Sequence, residues 1–323
     1  MHGKIFRSKY KDVSAITLES FALRGQFLPE HGGKMASLMC KKTGREFLVQ
    51  AENSEYKRLN YDGDYCAAEC SGFDDMFPTI DRCFCGSYPW NGAEMPDHGE
   101  VCALPWDYSI EDDCLRMSVH GIRFPYRLEK EIHFESDNVL TSKYKATNLS
   151  DFDMDFIWAA HAMINAEDGG EILVPYKGEQ DATCIFSCDE GLGKYGDKMT
   201  WPETRRKDGK LQKLNFTVPG SEKENNFKFY FDNKMTDGGC AYKYRDGTTL
   251  AMSFPPEQVP CLGIWVNEGS FKGYHNIALE PCTGSYDRPD IAKLHGQNSV
   301  LGAKGEYAWF LKFSVHQAEG GLV

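Results

Sequence analysis

The segment YRLEKEIHFESDNVLTSKYKATN, residues 126–148, decides the fold. Apolar and polar residues recur with a period of two on both sides of Ser136, Asp137 and Asn138, which is typical of β-strands that each bury one face. Ser, Asp and Asn favour turns because their side chains bond to the nearby backbone, and Asn and Asp also tolerate a left-handed conformation. The segment therefore predicts an antiparallel hairpin.

The same alternation recurs along the chain, whereas helical periodicity is nearly absent. FKFYF at residues 227–231 and EYAWFLKFSV at residues 306–315 each place apolar side chains on one face, and Asp246-Gly247 is a hairpin-turn signal. No Pro-, Gly- or Ser-rich linker divides the chain. The sequence therefore predicts an all-β fold, with residues 1–323 forming a single domain that is a large antiparallel β-sandwich.

The charge balance argues against polyanionic partners. The chain has 36 Lys and Arg against 48 Asp and Glu, a formal net charge of -12, which repels phosphate backbones and anionic lipid surfaces. We therefore expect neither nucleic acid nor membrane as a partner. The first twenty residues lack the apolar segment of a secretion signal, and no stretch approaches the ~18 apolar residues of a membrane span, so we expect a cytoplasmic protein.

The twelve cysteines are spread through the chain, and the sequence shows no secretory signal, so reduced thiols are expected. Their spacing lacks the paired CxxC pattern of structural zinc sites, and we expect no metal. GLGKYG, residues 191–196, matches a dinucleotide-binding pattern by letter, but Pro202 and no amphipathic helix follow it. It belongs to a long excursion, about residues 187–226, that either edges a site or is a solvated insertion.

Three segments place ionisable side chains among aromatic and small residues. His98 lies in the turn of PDHGEVCALPW, and His161 lies in DFIWAAHAMI, where alternation puts Trp158 on the opposite face. Glu280 ends the strand predicted in NIALEPCTG, where Pro281 is expected to stop pairing. The competing interpretations are a surface histidine, a histidine satisfied within the core and a carboxylate that simply faces water.

A set of five segments carries a family resemblance. GIWVNEGSFKGYHNIALEPCTGSYDRPD, PDHGEVCALPW, FIWAAHAMI, LPEHGGKMASLMCKKTGREFL and SGFDDMFPTI together resemble the galactose mutarotase-like, or aldose 1-epimerase, family. They occur in family order from near residue 24 to the C-terminus. The resemblance implies a β-supersandwich that binds sugars on a concave sheet face.

The resemblance also implies roles for single residues. Glu280 matches the family's general base, His161 its general acid, and His98 its additional sugar-binding histidine. The family's sugar-binding arginine has no direct counterpart in ECSGFDDMFPTIDR; Arg82 is expected to fill this role from a shifted position, or Asp75 or its neighbour Asp74 to accept hydrogen bonds from sugar hydroxyls instead.

Anomer exchange needs one base and one acid, and therefore no metal or organic cofactor. Mutual attraction is expected to keep the glutamate ionised and the histidine protonated. An aromatic ring is expected to cover the apolar face of the sugar, and the candidates are Trp158, Trp265, Phe271 and Tyr274. If the sugar carries a phosphate, the cations expected to bind it are Lys272, Arg205, Arg206 and Lys207.

The sequence thus predicts a mutarotase, monomeric or homodimeric, that acts on a monosaccharide or sugar phosphate. One alternative is a carbohydrate-binding protein of the same fold without catalysis, because fold alone does not secure function. The other is a mutarotase specific for hexose 6-phosphates.

Overall fold

A computed structural model of the chain describes residues 3–218 and 225–317, and its backbone is dominated by β-strands. The strands are β1 (Lys4–Tyr10), β2 (Val13–Glu19), β3 (Leu23–Leu28), β4 (Lys34–Cys40), β5 (Phe73–Met76), β6 (Cys83–Phe84), β7 (Glu94–Met95), β8 (Asp107–Glu111), β9 (Cys114–His120), β10 (Tyr126–Ser136), β11 (Val139–Asn148), β12 (Met154–Phe156), β13 (Ala159–Asn165), β14 (Glu171–Leu173), β15 (Gln180–Ser187), β16 (Lys198–Trp201), β17 (Glu203–Arg205), β18 (Leu211–Lys213), β19 (Asn225–Phe231), β20 (Gly239–Lys243), β21 (Thr249–Ser253), β22 (Cys261–Glu268), β23 (His275–Cys282), β24 (Ser299–Leu301) and β25 (Glu306–His316). The helical segments are 3-10 turns at Val101–Ala103 and Cys188–Glu190 and the helix α1 (Pro289–Leu294).

Two large antiparallel sheets form the sandwich. The first has the spatial order β1-β2-β3-β4-β5-β13-β23-β22-β19-β15-β16, and the second has the order β14-β20-β21-β25-β11-β10-β9-β8. Short two-stranded pairs, β12-β24, β17-β18 and β6-β7, lie outside them. The predicted all-β antiparallel sandwich is confirmed.

The hairpin predicted from residues 126–148 is the centre of the second sheet. Its arms are β10 and β11, which pair from Tyr126 with Asn148 to Ser136 with Val139. Strand β25 pairs with the other edge of β11, and its alternate residues enter the main core between the sheets. The alternation of both segments therefore determined which faces are buried.

Alternation in the first sheet positions the candidate site. Along β13, Ala160 and Ala162 contribute to the core between the sheets, while Ala159 and Met163 join a second apolar cluster on the outer face. Because successive side chains of a strand point to opposite faces, His161 lies on the outer face with them. The same rule places Glu280 of β23 on that face.

Strand β23 continues to Cys282, so the expectation that Pro281 ends it is wrong. Pro281 is aligned with Leu262 of β22, but between Leu279 and Cys282 strand β23 has no residue paired with β13. A proline is tolerated there because its missing N–H falls in a gap of the ladder. This gap lies next to Glu280.

The excursion contains β16, which extends the first sheet, and the small β17-β18 hairpin. GLGKYG at residues 191–196 leads into strand β16 rather than into a helix. In the described residues, no helix is long and apolar enough to cross a membrane.

Candidate active site

A cavity of about 380 Å3 lies on the outer face of the first sheet. Strands β13, β23, β22, β19 and β15 and the loops near residues 65, 81, 98 and 287 contribute its lining. The lining residues are Tyr65, Cys66, Cys70, Ile80, Asp81, His98, His161, Ile185, Phe186, Asn226, Lys228, Trp265, Phe271, Glu280 and Asp287. This volume lies within the ~300–1,000 Å3 of small-molecule sites.

A larger groove, about 680 Å3, lies against β8 to β11 of the second sheet. Most of its charged side chains are at least partly exposed, and several pair with one another, as Arg116 does with Glu111 and Glu131. Exposed ion pairs of this kind contribute little to stability and are typical of a solvated sheet face. The smaller cavity, in contrast, brings buried ionisable groups together, so we take it as the candidate active site.

Glu280 forms part of the cavity floor and is 1% exposed. Lys228 Nζ lies 2.5 Å from its Oε2 as an ion pair, although neither carboxylate oxygen accepts a well-directed hydrogen bond from a described residue. Burial raises the pKa of Glu280 to about 7, against the opposing charge of Lys228. The carboxyl group therefore changes protonation near neutral pH.

Lys228 projects from β19 between two carboxylates. Its Nζ lies 2.8 Å from Oδ1 of Asp287, and the Tyr230 hydroxyl donates a hydrogen bond to the same oxygen at 2.6 Å. Burial opposes the charge of Lys228, but Asp287 and Glu280 outweigh it and raise its pKa. Asp81 also lines the cavity, where burial and the nearby Asp287 raise its pKa to about 6.

His161 extends from β13, in register with Asp74 of β5, and its side chain is almost completely buried. Its ring makes edge contacts with Tyr65 and His98, at centroid distances of 5.8 and 5.5 Å, and lies parallel to Trp265 at 6.0 Å. Its Nδ1 has no hydrogen-bond partner among the described residues.

The electrostatic surroundings of His161 differ from the expectation. Burial lowers its pKa well below the ordinary value, and the positive charges of His98, Lys228 and Lys34 lower it further. The expectation that attraction to Glu280 keeps His161 protonated near neutral pH is therefore wrong, because desolvation and neighbouring cations dominate.

His98 is held by its turn and by ring stacking. The residue has φ of 60°, and its N–H donates to the carbonyl of Ile80 at 2.5 Å. Nδ1 lies 2.8 Å from Oδ2 of Asp97, and the ring stacks on Tyr65 with centroids 3.8 Å apart. Tyr65 in turn donates to Asp74 Oδ2 at 2.8 Å, so a chain of contacts fixes the imidazole.

The structure brings Glu280, His161 and His98 together as the sequence predicted, but it places Asp75 and Trp158 in the core. Both are 0% exposed, and the indole Nε1 of Trp158 donates to Asp75 at 3.0 Å. Lys130 pairs with the other oxygen of Asp75 at 2.8 Å. The expected sugar-binding roles of Asp75 and Trp158 are therefore corrected, because alternation directs both side chains between the sheets.

Arg82 and Lys272 also lie outside the cavity lining. Arg82 is half-exposed and pairs with Asp62 and Glu94, so its charge is already compensated at the surface. Lys272 Nζ lies 3.4 Å from the carbonyl of Ala68 and does not line the cavity. Of the aromatic candidates, Trp265 and Phe271 line it.

Four ionisable residues of the cavity lining were not predicted from the sequence: Lys228, Asp287, Asp81 and Tyr65. One signal was available, since the alternation of FKFYF that buries its phenylalanines directs Lys228 to the other face. Asp287 has φ of 61° in the loop after β23, a conformation that sequence alone did not indicate. In the described part of the chain, no group of three or more His, Cys, Asp or Glu side chains is arranged to hold a metal ion.

The fold and cavity define a class of protein: an antiparallel β-sandwich with a cavity on one sheet face that is lined by buried ionisable groups. Solved structures share this fold at low identity. The galactose mutarotase-like protein of Clostridium acetobutylicum is 13% identical, with a TM-score of 0.68 over 98% of this chain and 99% of that chain.

Two further structures agree. The galactose mutarotase-like protein of Lactobacillus casei is 18% identical, with a TM-score of 0.64 over 94% of this chain and all of that chain. The galactose 1-epimerase of Lactobacillus acidophilus is 14% identical, with a TM-score of 0.60 over 98% and 99%. No family model and no curated protein matches the chain. The comparisons establish that the chain has the galactose mutarotase-like fold, as the sequence resemblance predicted.

Proposed function

We propose that the protein is a mutarotase of the aldose 1-epimerase type, which interconverts the α and β anomers of an aldohexose or related sugar. The observation that carries this proposal is the convergence of Glu280 and His161. They come from neighbouring strands, and both line one cavity of about 380 Å3. The solved structures of similar fold include a galactose 1-epimerase, which supports the same chemistry.

The proposed reaction needs two proton transfers. Glu280 accepts the proton of the anomeric hydroxyl, the C1–O5 bond breaks, and the ring oxygen receives a proton from His161. Rotation about C1–C2 and reclosure then give the other anomer. A correctly placed acid or base contributes about 10²- to 10⁴-fold each.

The protonation state of the pair sets its pH dependence. The pKa of Glu280 is about 7 and that of His161 lies well below its ordinary value, so the resting pair carries its single proton mainly on Glu280. The reactive arrangement, with an ionised glutamate and a protonated histidine, is the minor form of the same singly protonated pair. We therefore expect activity to decline above about pH 7, where this proton is lost.

The cavity offers groups for the rest of the sugar. Trp265 and Phe271 supply aromatic surface for its C–H face, and Trp265 is fixed by donating its indole N–H to Asn226. Asp81 offers a carboxylate to sugar hydroxyls. His98 lines the cavity beside His161, and their rings are in edge contact.

A phosphorylated substrate fits the cavity less well. Among the described lining residues Lys228 is the one lysine or arginine, and two carboxylates already contact it. Arg205, Arg206 and Lys207 contact Gly209, Gln212 and Glu190 instead. A free sugar is therefore the proposed substrate.

The non-catalytic sugar-binding protein remains the second candidate, and the Lys228–Glu280 ion pair favours it, because a paired carboxylate is a weaker base. Freshly dissolved α-aldohexoses, followed by polarimetry or NMR with and without protein, separate the two. Acceleration for at least one sugar, lost in Glu280→Gln while binding remains, supports the mutarotase. Binding without acceleration across the panel contradicts it.

A further inference from the structure

A glycine lies in the strand between Lys228 and Glu280. Gly263 of β22 is in register with Glu280 on one side and with Tyr230 on the other. A Cβ atom at this position would lie 3.0 Å from the Tyr230 ring. The ring of Tyr230 therefore occupies the space above Gly263, and its hydroxyl reaches Asp287, which also contacts Lys228.

Asp287 fixes the other side of this ammonium group. Its carbonyl accepts hydrogen bonds from the backbone N–H groups of Ile80 and Asp81, at 3.0 and 2.9 Å, and from the Thr79 hydroxyl at 3.1 Å. Its carboxylate is bound by Tyr230 and Lys228. Asp287 is therefore anchored by both backbone and side chain, so it can hold the lysine in one place.

Several titratable groups surround the Glu280 carboxylate. They come from β19, β13, its own strand and the adjacent loops, and they are Lys228, Tyr230, His161, Cys282, His98, Asp81 and Asp287. The strongest single favourable influence on the charged carboxylate is Lys228, and Asp287 acts against it. The buried ammonium thus offsets the desolvation that opposes ionisation.

We infer that Lys228 is a positioning residue for the proposed reaction: anchored by Asp287, it keeps a fraction of Glu280 ionised and directs that carboxylate into the cavity. This inference rests on the proposed function for its catalytic meaning. It differs from a merely structural ion pair because it assigns opposite electrostatic effects to Lys228 and Asp287.

The test is titration of the Glu280 carboxyl by 13C NMR in the full-length protein. Lys228→Met removes the stabilising cation, so the midpoint is expected to rise by about one pH unit or more. Asp287→Asn removes a repelling charge but keeps an amide oxygen that can accept hydrogen bonds from Lys228 and Tyr230, so the lysine is expected to stay in place and the midpoint to fall. Lys228→Arg keeps the charge and is expected to stay within about half a unit of the parent. Two shifts in the same direction, or no shift in either variant, overturn the inference.

Lys198→Met is a matched control, because Lys198 also pairs with a carboxylate, Asp232, at 2.7 Å, but lies outside the cavity lining. It is expected to leave the Glu280 midpoint unchanged. If Lys228→Met does not fold, the other two variants decide. A lowered Glu280 midpoint in Asp287→Asn together with a parent-like midpoint in Lys228→Arg supports the inference. Any other pair of results overturns it.

Mutarotation kinetics then separate the two proposals. With an active parent, Lys228→Met is expected to lower kcat at pH 7 about tenfold while KM changes less than about threefold, and to move the alkaline limb of the pH profile upward. If the NMR shifts occur but even the parent fails to accelerate mutarotation, the proposed function fails and the role of Lys228 stands. If the parent is active but the NMR shifts do not occur, the proposed function stands and the role of Lys228 fails.

Discussion

Replacing Glu280 with Gln is expected to stabilise the folded protein more at pH 8 than at pH 5. The ordinary pKa of this carboxyl is 4.5, and burial raises it to about 7 in the folded protein. The folded state therefore binds the proton more tightly than the unfolded state. The resulting stability is fully present below pH 4.5 and is lost as the pH rises through 7.

The magnitude follows from the displacement of the pKa. A displacement of about 2.5 pH units, at about 1.4 kcal/mol for each unit, corresponds to about 3.5 kcal/mol of folding free energy over the whole titration, of which about 2.5 kcal/mol is lost between pH 5 and pH 8. Glutamine does not titrate and avoids this loss. The substitution also removes a partner of Lys228, but that effect changes little between pH 5 and 8 because Lys228 stays charged throughout.

Urea unfolding at several pH values measures this effect. The difference in unfolding free energy between Glu280→Gln and the parent is expected to move by about 2.5 kcal/mol in favour of the variant from pH 5 to pH 8. Glu257→Gln, at an exposed position, is the control and is expected to show no such trend. A difference in unfolding free energy that is the same at both pH values would show that the pKa of Glu280 is not raised in the folded protein.

Three further predictions concern the cavity. His161→Asn is expected to lower kcat about 100-fold or more with the fold retained, as checked by circular dichroism; unchanged kinetics would place the acid elsewhere. Cys66 is exposed at the cavity, and a hydrogen bond from Cys70 lowers the pKa of its thiol to about 7. Iodoacetamide is therefore expected to modify Cys66 faster than Cys114, because burial raises the pKa of the Cys114 thiol. A sugar bound in the cavity is expected to slow the labelling of Cys66. Equal labelling rates, or no protection, would contradict the assignment. Hexose 6-phosphates are expected to have kcat/KM about tenfold or more below the free hexoses, and the reverse preference would point to cations not placed in the cavity.

Alternation explains which parts of the site were predictable. His161 and Trp158 are three residues apart in one segment, and the period of two puts them on opposite faces. That pattern correctly separated them, and it argued against the sugar-binding role that was nevertheless expected of Trp158. Asp75 illustrates the same point, since its neighbours Asp74 and Met76 have the opposite orientation.

Other contacts depend on long-range pairing and loop geometry. Lys228 meets Glu280 because β22 alone separates β19 from β23 in the sheet. Asp287 reaches this pair from a loop in a left-handed conformation. Strand periodicity gives the face of a residue but neither the order of strands nor the path of a loop, so the sequence predicted the acid–base pair without its electrostatic partners.

In the proposed reaction, Glu280 and His161 contact the two reacting oxygens of one sugar. A crystal structure of the Glu280→Gln variant with an aldohexose that the parent converts would show whether they do. We expect the anomeric hydroxyl about 3 Å from the side chain at position 280 and the ring oxygen about 3 Å from an imidazole nitrogen of His161. A sugar bound in this cavity with its anomeric centre remote from both side chains would contradict the proposed roles of Glu280 and His161.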